Sequence, residues 1–284
     1  MKVFKFGGAS VKDSEAVINI KEIIKREDSN LVIIISAMHK TTNSLEKVWD
    51  SYINNDLKGA IHELDKTIDF HKEIYTKLRL SSNLVFLNYF NSLEKSLKAF
   101  LHQPPSDNYA YNYDQIVSYG ELFSTWIVSN YLEENEVINE WLDARKLIST
   151  SSHFQEARVN WEISREKIRV KTNSNSSIFI SQGFIGGDAN KNTTTLGREG
   201  SDYSAAIFAW AIDAEELTIW KDVPGLLNAD PKVFKDTHKI DHISYKEAIE
   251  LSYYGASVIH PKTIKPLQNK SIPLTIKSFI NFQK

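Results

Sequence analysis

Val3-Phe-Lys-Phe-Gly-Gly-Ala-Ser10, followed at residues 31–36 by Leu-Val-Ile-Ile-Ile-Ser, decides the fold class. Val3 to Phe6 reads as a short strand, and Gly7-Gly8 breaks it. Asp13 or Ser14 can cap a helix beginning at Glu15, whose Val17, Ile20 and Ile24 share one face. Leu31 to Ile35 is a continuous apolar run rich in β-branched residues, the pattern of a central parallel strand buried on both faces. Strand, glycine pair, helix and strand within 36 residues predict an α/β sandwich.

Downstream, residues 45–102 read as helical and Gln103-Pro-Pro-Ser-Asp107 as a breaker. Tyr113 to Glu134 reads as one amphipathic helix, Glu136 to Ala144 as a strand, and Val159 to Val170 as mixed or helical. Ser177 to Ile185 is a second buried strand, and Asp188 to Thr195 is expected to be polar and mobile. A helix over Asp202 to Asp213, a strand over Leu217 to Trp220 and a loop over Lys221 to Lys235 follow. The last elements are a helix over Tyr245 to Tyr254 and a strand over Ile272 to Ile276.

Composition excludes several functions. The 284 residues carry 34 Lys plus Arg against 36 Asp plus Glu, so a basic field for nucleic acid is absent. With no cysteine, disulfides, thiolate nucleophiles and Cys-ligated zinc are ruled out. The N-terminus is too polar for a signal peptide, and no apolar run approaches the roughly 20 residues of a membrane span. A soluble protein of a reducing cytoplasm is expected, with no nucleic-acid or membrane partner.

Only 11 glycines occur, and five of them fall between positions 183 and 200. A chain sparing with glycine places it where the backbone turns sharply or approaches a ligand. Lys5 stands at a strand end before Gly7-Gly8 and a helix start, a setting that suits a transferring phosphoryl group, or equally a lysine beside a turn. Neither G-x-x-x-x-G-K-[ST] nor G-x-G-x-x-G is present. In Leu196-Gly-Arg-Glu-Gly-Ser-Asp202, Arg198 offers a fork for a carboxylate. Ser201 and Asp202 stand at a helix start, where one can cap it and the other can face a pocket. Trp220-Lys-Asp-Val-Pro-Gly225 and Asn228-Ala-Asp-Pro-Lys232 suit ribose and phosphates, or an ordinary loop. Tyr119-Gly-Glu121 places a carboxylate in an apolar helix start, where it suits a buried site group or, equally, a solvated glutamate. The eight histidines form no catalytic pattern, and G-x-S-x-G is missing.

Taken together and in order, these motifs resemble the amino-acid kinase family and, within it, the catalytic domain of the aspartate kinases. KFGGAS at 5–10 is similar to the family's KFGG-[TS]-S start, and SYGE at 118–121 to its S-x-G-E helix. Ser36-Ala-Met with Thr41-Thr-Asn43 resembles its substrate loop, and GREGSD at 197–202 its GRGGSD. WKDVPG and NADPK resemble W-T-D-V-x-G and T-A-D-P-R, and GASVIHPKT at 255–263 is similar to GAKVLHPxT. The match runs from Lys5 to about Phe282.

The resemblance implies a three-layer αβα sandwich around a largely parallel sheet. One amino-acid kinase domain would fill 1–284, with an amino-acid-binding lobe to about residue 175 and an ATP-binding lobe from about 176. It implies transfer of the ATP γ-phosphoryl group to the side-chain carboxylate of L-aspartate, which opens lysine, threonine and methionine synthesis. Lys5 would stabilise the transferring group and Asp202 would organise the lysines. Ser36, Thr42, Glu121, Arg198 and Ser201 would hold aspartate, Glu121 meeting its ammonium and Arg198 a carboxylate. Lys5, Gly7, Gly8, Lys221, Asp222, Leu227, Lys232, Ser257 and Lys262 would line the nucleotide. Mg²⁺ would arrive with ATP, with no metal site of the protein's own. The expected partners are these small molecules, with room for a homodimer.

The sequence departs from the family at Ala9, Glu199, Lys221, Leu227 and Lys232, and Ser257 stands where a phosphate-touching lysine is usual. Lys221 or Lys262 would then supply that charge. No regulatory ACT domain is expected in these 284 residues, whether the chain is truncated or naturally short, so saturating lysine or threonine is expected to leave its rate unchanged. The alternatives are another acyl-phosphate kinase, acting on glutamate, N-acetylglutamate or carbamate, and a non-catalytic nucleotide or amino-acid binding module. Loss of Lys5 is expected to lower kcat while leaving folding nearly unaffected.

Overall fold

Alternation along the first two strands sets up the whole molecule. In the strand β2 (Leu31–Ile35), Leu31, Ile33 and Ile35 enter one hydrophobic core while Val32 and Ile34 enter another. A strand whose successive side chains point to opposite faces can be apolar throughout only if both faces are covered. In β1 (Lys2–Phe6), Phe4 and Phe6 join the first core and Val3 the second. Between these strands come a 3-10 turn over Gly8–Val11 and the helix α1 (Ser14–Ile24), capped by Asp13, which accepts the Ala16 N–H.

The computed structural model describes residues 1–223, 225–229, 234, 236–253, 259–280 and 282. Its remaining strands are β3 (Glu140–Leu142), β4 (Ile178–Gln182), β5 (Ile185–Gly187), β6 (Thr193–Thr195), β7 (Leu217–Lys221) and β8 (Leu274–Ser278). The main sheet has the order β3-β4-β2-β1-β7-β8, and every pairing in it is parallel. The first core lies under α1, α2 (Thr41–Ile53), α3 (Leu57–Lys77), α4 (Leu84–Leu101), α5 (Tyr109–Val117) and α6 (Tyr119–Glu134). A short helix, α7 (Ala144–Leu147), follows β3. The second core lies under α8 (Trp161–Thr172), α9 (Gly200–Ile212), α10 (Tyr245–Tyr253) and α11 (Pro261–Gln268). This is the expected three-layer αβα sandwich. β4 pairs with β2 and β3, and β1 pairs with β7, so strands from both halves of the chain share one sheet.

Several local expectations need correction. The helical stretch 45–102 is three helices and begins at Thr41, with Asp56 and Asn83 capping α3 and α4. Tyr113 to Glu134 is two helices: the backbone at Ser118 stays helical, but the hydrogen bonds on either side of it lengthen to 3.4 Å. The strand near 140 is three residues long, and α11 has no counterpart among the sequence expectations. Asp188 to Thr195 is not a mobile loop. Its end is β6, paired antiparallel with β5, and Thr194 and Thr195 are completely buried. A threonine row reads as polar, yet the two buried most deeply have their hydroxyls met: Thr194 by Thr150 at 2.7 Å, and Thr195 by Asp114 at 2.7 Å.

Candidate active site

Lys5 shares the face of β1 that Val3 uses, the face covered by α9. On β7, Trp220 stacks on Phe6 in the first core, so Lys221 falls on the α9 side as well. Asp202, in the first turn of α9 and 5% exposed, stands between the two lysines. Its Oδ1 is 2.6 Å from the Lys5 Nζ, and its Oδ2 is 3.8 Å from the Lys221 Nζ. Two cations and the amide end of a helix therefore converge at the C-terminal edge of the sheet, an anion-attracting arrangement.

The other layer contributes Glu121 from the start of α6. It is 2% exposed rather than solvated. Its Oε1 accepts the Ala37 N–H at 3.3 Å, and its Oε2 has no hydrogen-bond partner among the described residues. Burial pushes the carboxyl up to about 8, against the pull of the Ala37 amide and the Lys5 charge. One turn later Ser124 donates to the Ser36 carbonyl at 2.7 Å, which fixes the end of β2. A Cβ at Gly8 would stand 3.0 Å from the carbonyls of Ala37 and His39, so a side chain there would press the two loops slightly apart.

These groups line one cavity of about 760 Å³. Lys5, Gly8, Ser36, Thr42, Glu121, Arg198, Ser201, Asp202 and Lys221 all face it. Gly7 adjoins it, since a Cβ there would lie 3.4 Å from the Lys5 Nζ. Asp222 is exposed just beyond Lys221, and Leu227 bridges to Lys239 in the loop that follows. Lys262 does not reach this cavity. Its ammonium donates to the Leu196 carbonyl at 2.8 Å and lies over the Tyr203 ring, in a second cavity of about 780 Å³ that shares Arg198 and Glu199 with the first. Lys232 and Ser257 lie outside the described residues, as do Pro224 and Gly255. Neither Ser201 nor Asp202 caps α9: the cap position is Glu199, whose side chain makes no capping bond.

His39, Trp49, Tyr113, Gln155, Glu156, Phe184 and Thr195 line the same cavity without any sequence signal for it. Trp49 meets Tyr113 edge-on, and the Tyr113 hydroxyl donates to Glu46 at 2.9 Å. His39, Gln155, Phe184 and Glu199 all have positive φ, the conformation that side chains disfavour. Such strain persists where the surroundings over-determine it, as at ligand sites. Glu199 (φ 52°) holds a backbone conformation that favours glycine. Glu199→Gly is expected to stabilise the fold by about 1 kcal/mol, read as a higher thermal midpoint. A midpoint at or below that of the parent would show that Glu199 carries no net strain.

Comparison with known proteins agrees with this geometry. The model of the amino acid kinase family matches residues 1–278. The chain is 32% identical to the bifunctional aspartokinase/homoserine dehydrogenase of Buchnera aphidicola, with 99% of this chain and 35% of that protein covered. It is also 32% identical to the lysine-sensitive aspartokinase 3 of Escherichia coli, with 97% of this chain and 61% of that protein covered. The solved structure of E. coli aspartokinase III with aspartate and ADP superimposes with a TM-score of 0.90 at 32% identity, over 99% of this chain and 62% of that one. The chain thus spans between about a third and three fifths of the curated relatives it matches. With an all-parallel sheet, a lysine–aspartate pair at its C-terminal edge and a family model matching nearly end to end, this chain belongs to the amino acid kinase family.

Proposed function

We propose that this chain transfers the γ-phosphoryl group of ATP to the side-chain carboxylate of L-aspartate, giving 4-phospho-L-aspartate. One observation carries the proposal: a single cavity holds a buried carboxylate, a guanidinium and two lysines flanking an aspartate. Glu121, with an unpartnered oxygen, matches an ammonium. Arg198, exposed on the cavity wall, matches a carboxylate through its fork. Lys5 and Lys221 then stand beside the acceptor carboxylate, where negative charge passes between phosphate and substrate. N-acetylglutamate and carbamate carry no ammonium and would leave Glu121 unmet. The aspartokinase names of the relatives, and the aspartate and ADP in one of their structures, support the same reading.

Among the described residues no group of three or more His, Asp or Glu side chains is placed to hold a metal ion. Asp202 beside Lys5 is taken up by the two lysines, Lys5 and Lys221. That donor set fits magnesium carried on phosphate oxygens rather than in a protein cage, and the ion would supply further neutralisation of phosphate charge. Lys221, Asp222 and Leu227 would face the nucleotide with Lys232 and Ser257, making the second half of the chain the ATP side. No described helix is long and apolar enough to cross a membrane. A cytoplasmic setting, a homodimer and a place at the start of lysine, threonine and methionine synthesis belong to the same proposal.

A coupled assay of ADP release over a panel of acidic amino acids tests it. Turnover with L-aspartate is the expected result, and turnover only with other acids, or none, would overturn it. Arg198→Lys keeps the charge but loses the fork, and is expected to raise the KM for aspartate about tenfold with the KM for ATP little changed. An unaltered aspartate KM would remove Arg198 from the substrate site.

A further inference from the structure

Asp114 lies in α5, seven residues before Glu121, and is completely buried. It has no place in the motifs above. Its Oδ2 accepts the Thr195 N–H at 2.8 Å, and its Oδ1 accepts the Thr195 hydroxyl at 2.7 Å. Both oxygens also accept the Gln155 N–H, at 3.1 and 3.0 Å. One carboxylate thus joins three separate segments: α5, the loop at Gln155 and the strand β6. Thr195 and Gln155 both line the substrate cavity.

Each bond acts on the segment that carries Arg198. Thr195 stands three residues before it, with Gly197 at φ +76° as the turn between them. Gln155 packs against that turn, since a Cβ on Gly197 would lie 3.1 Å from its carbonyl. Gln155 itself has a left-handed backbone (φ 67°), a conformation that needs an anchor, and its amide is held by both Asp114 oxygens. The backbone reinforces the join, with the Ala157 N–H donating to the Thr195 carbonyl at 2.9 Å. On the other side, α5 runs into α6 through the helical residue Ser118 and so sets where Glu121 stands.

We propose that Asp114 is a positioning residue for substrate, fixing the distance between the ammonium-binding Glu121 and the carboxylate-binding Arg198. The inference rests on the aspartate-kinase reading of the cavity. A neutral amide at this position can keep the Thr195 and Gln155 amides on its single oxygen, as Oδ2 does now, but its NH2 cannot accept the Thr195 hydroxyl and the second Gln155 contact as Oδ1 does, and the negative charge is lost. Burial raises the Asp114 carboxyl to about 6, so at pH 8 it is an ionised acceptor.

The test is steady-state kinetics at pH 8 on Asp114→Asn, Thr195→Val and Thr195→Ser, with thermal unfolding as a check on folding. Asp114→Asn and Thr195→Val are expected to raise the aspartate KM tenfold or more while the ATP KM stays within about twofold, the size of losing one hydrogen bond to a charged group. Thr195→Ser keeps the hydroxyl and should return the aspartate KM to near the parent value. A folded Asp114→Asn with an unchanged aspartate KM, or one in which both KM values rise alike, would overturn the inference. Should Asp114→Asn fail to fold, the Thr195 pair decides: equal aspartate KM values for valine and serine would overturn it. A parent chain without aspartate-dependent turnover overturns the proposed function and this inference with it. A parent that is active beside an indifferent Asp114→Asn overturns this inference alone.

Discussion

Lys5→Ala is expected to lower kcat by on the order of 10²-fold or more, with a much smaller change in the KM for aspartate. Phosphoryl transfer depends on charge stabilisation and positioning, so a cation aimed at the transferring group acts mainly in the transition state. The fold holds the Lys5 ammonium in place, 2.6 Å from Asp202 and within contact distance of where a Cβ on Gly7 would lie. The sequence alone suggests that folding tolerates this change, but the structure corrects that expectation. Lys5 is 8% and Asp202 5% exposed, so alanine strands a buried carboxylate whose nearest other cation among the described residues is Lys221 at 3.8 Å. A cost of about 3 kcal/mol follows, at the lower end for breaking a buried pair because Lys221 remains. The thermal midpoint should therefore fall. Adding Asp202→Asn should restore much of the midpoint without restoring kcat. A Lys5→Ala protein with near-parent kcat would move the phosphoryl-stabilising role to Lys221.

Aspartate binding is expected to tighten about tenfold per pH unit up to about pH 8 and then level off. The sign follows from Glu121. Its carboxyl is raised to about 8 by burial, so the empty site is mostly protonated at pH 7. An arriving ammonium pairs with the carboxylate form, so binding expels roughly one proton below that pH. Well above it, the substrate's own ammonium deprotonates and affinity falls again. Calorimetric titration at pH 7 in two buffers of different ionisation enthalpy would count the proton. Glu121→Gln should flatten the profile and weaken binding at pH 8 by about 10 to 10², since the amide cannot neutralise the ammonium. A pH-independent aspartate affinity in the parent protein would place the ammonium elsewhere. The same shift bears on the empty protein: the raised pKa makes the protonated form the stable one, so the stability it confers is present at acid pH and is lost as pH rises through about 8.

The fold class was written locally. A short, β-branched apolar run from Leu31 to Ile35 has the pattern of a strand covered on both faces, and two glycines after Phe6 mark the end of another. The motif order also placed Lys5, Glu121, Arg198, Ser201 and Asp202 in one site, and all five face one cavity. What the sequence could not determine is how those groups meet. Lys5 comes from one strand, and Asp202 and Lys221 from a helix start and the adjacent parallel strand far along the chain, and sheet register sets their distances. Glu121 read as solvated or buried with equal ease, because its burial depends on Ala37 and the surrounding core rather than on its neighbours in the chain. The three threonines of β6 looked like a mobile loop until Asp114 and Thr150 supplied partners from elsewhere in the fold. Periodicity and turn chemistry are local and so belong to the sequence. Burial, ion pairing and the pKa shifts that follow from them are sums over groups distant along the chain, and only the tertiary structure decides them.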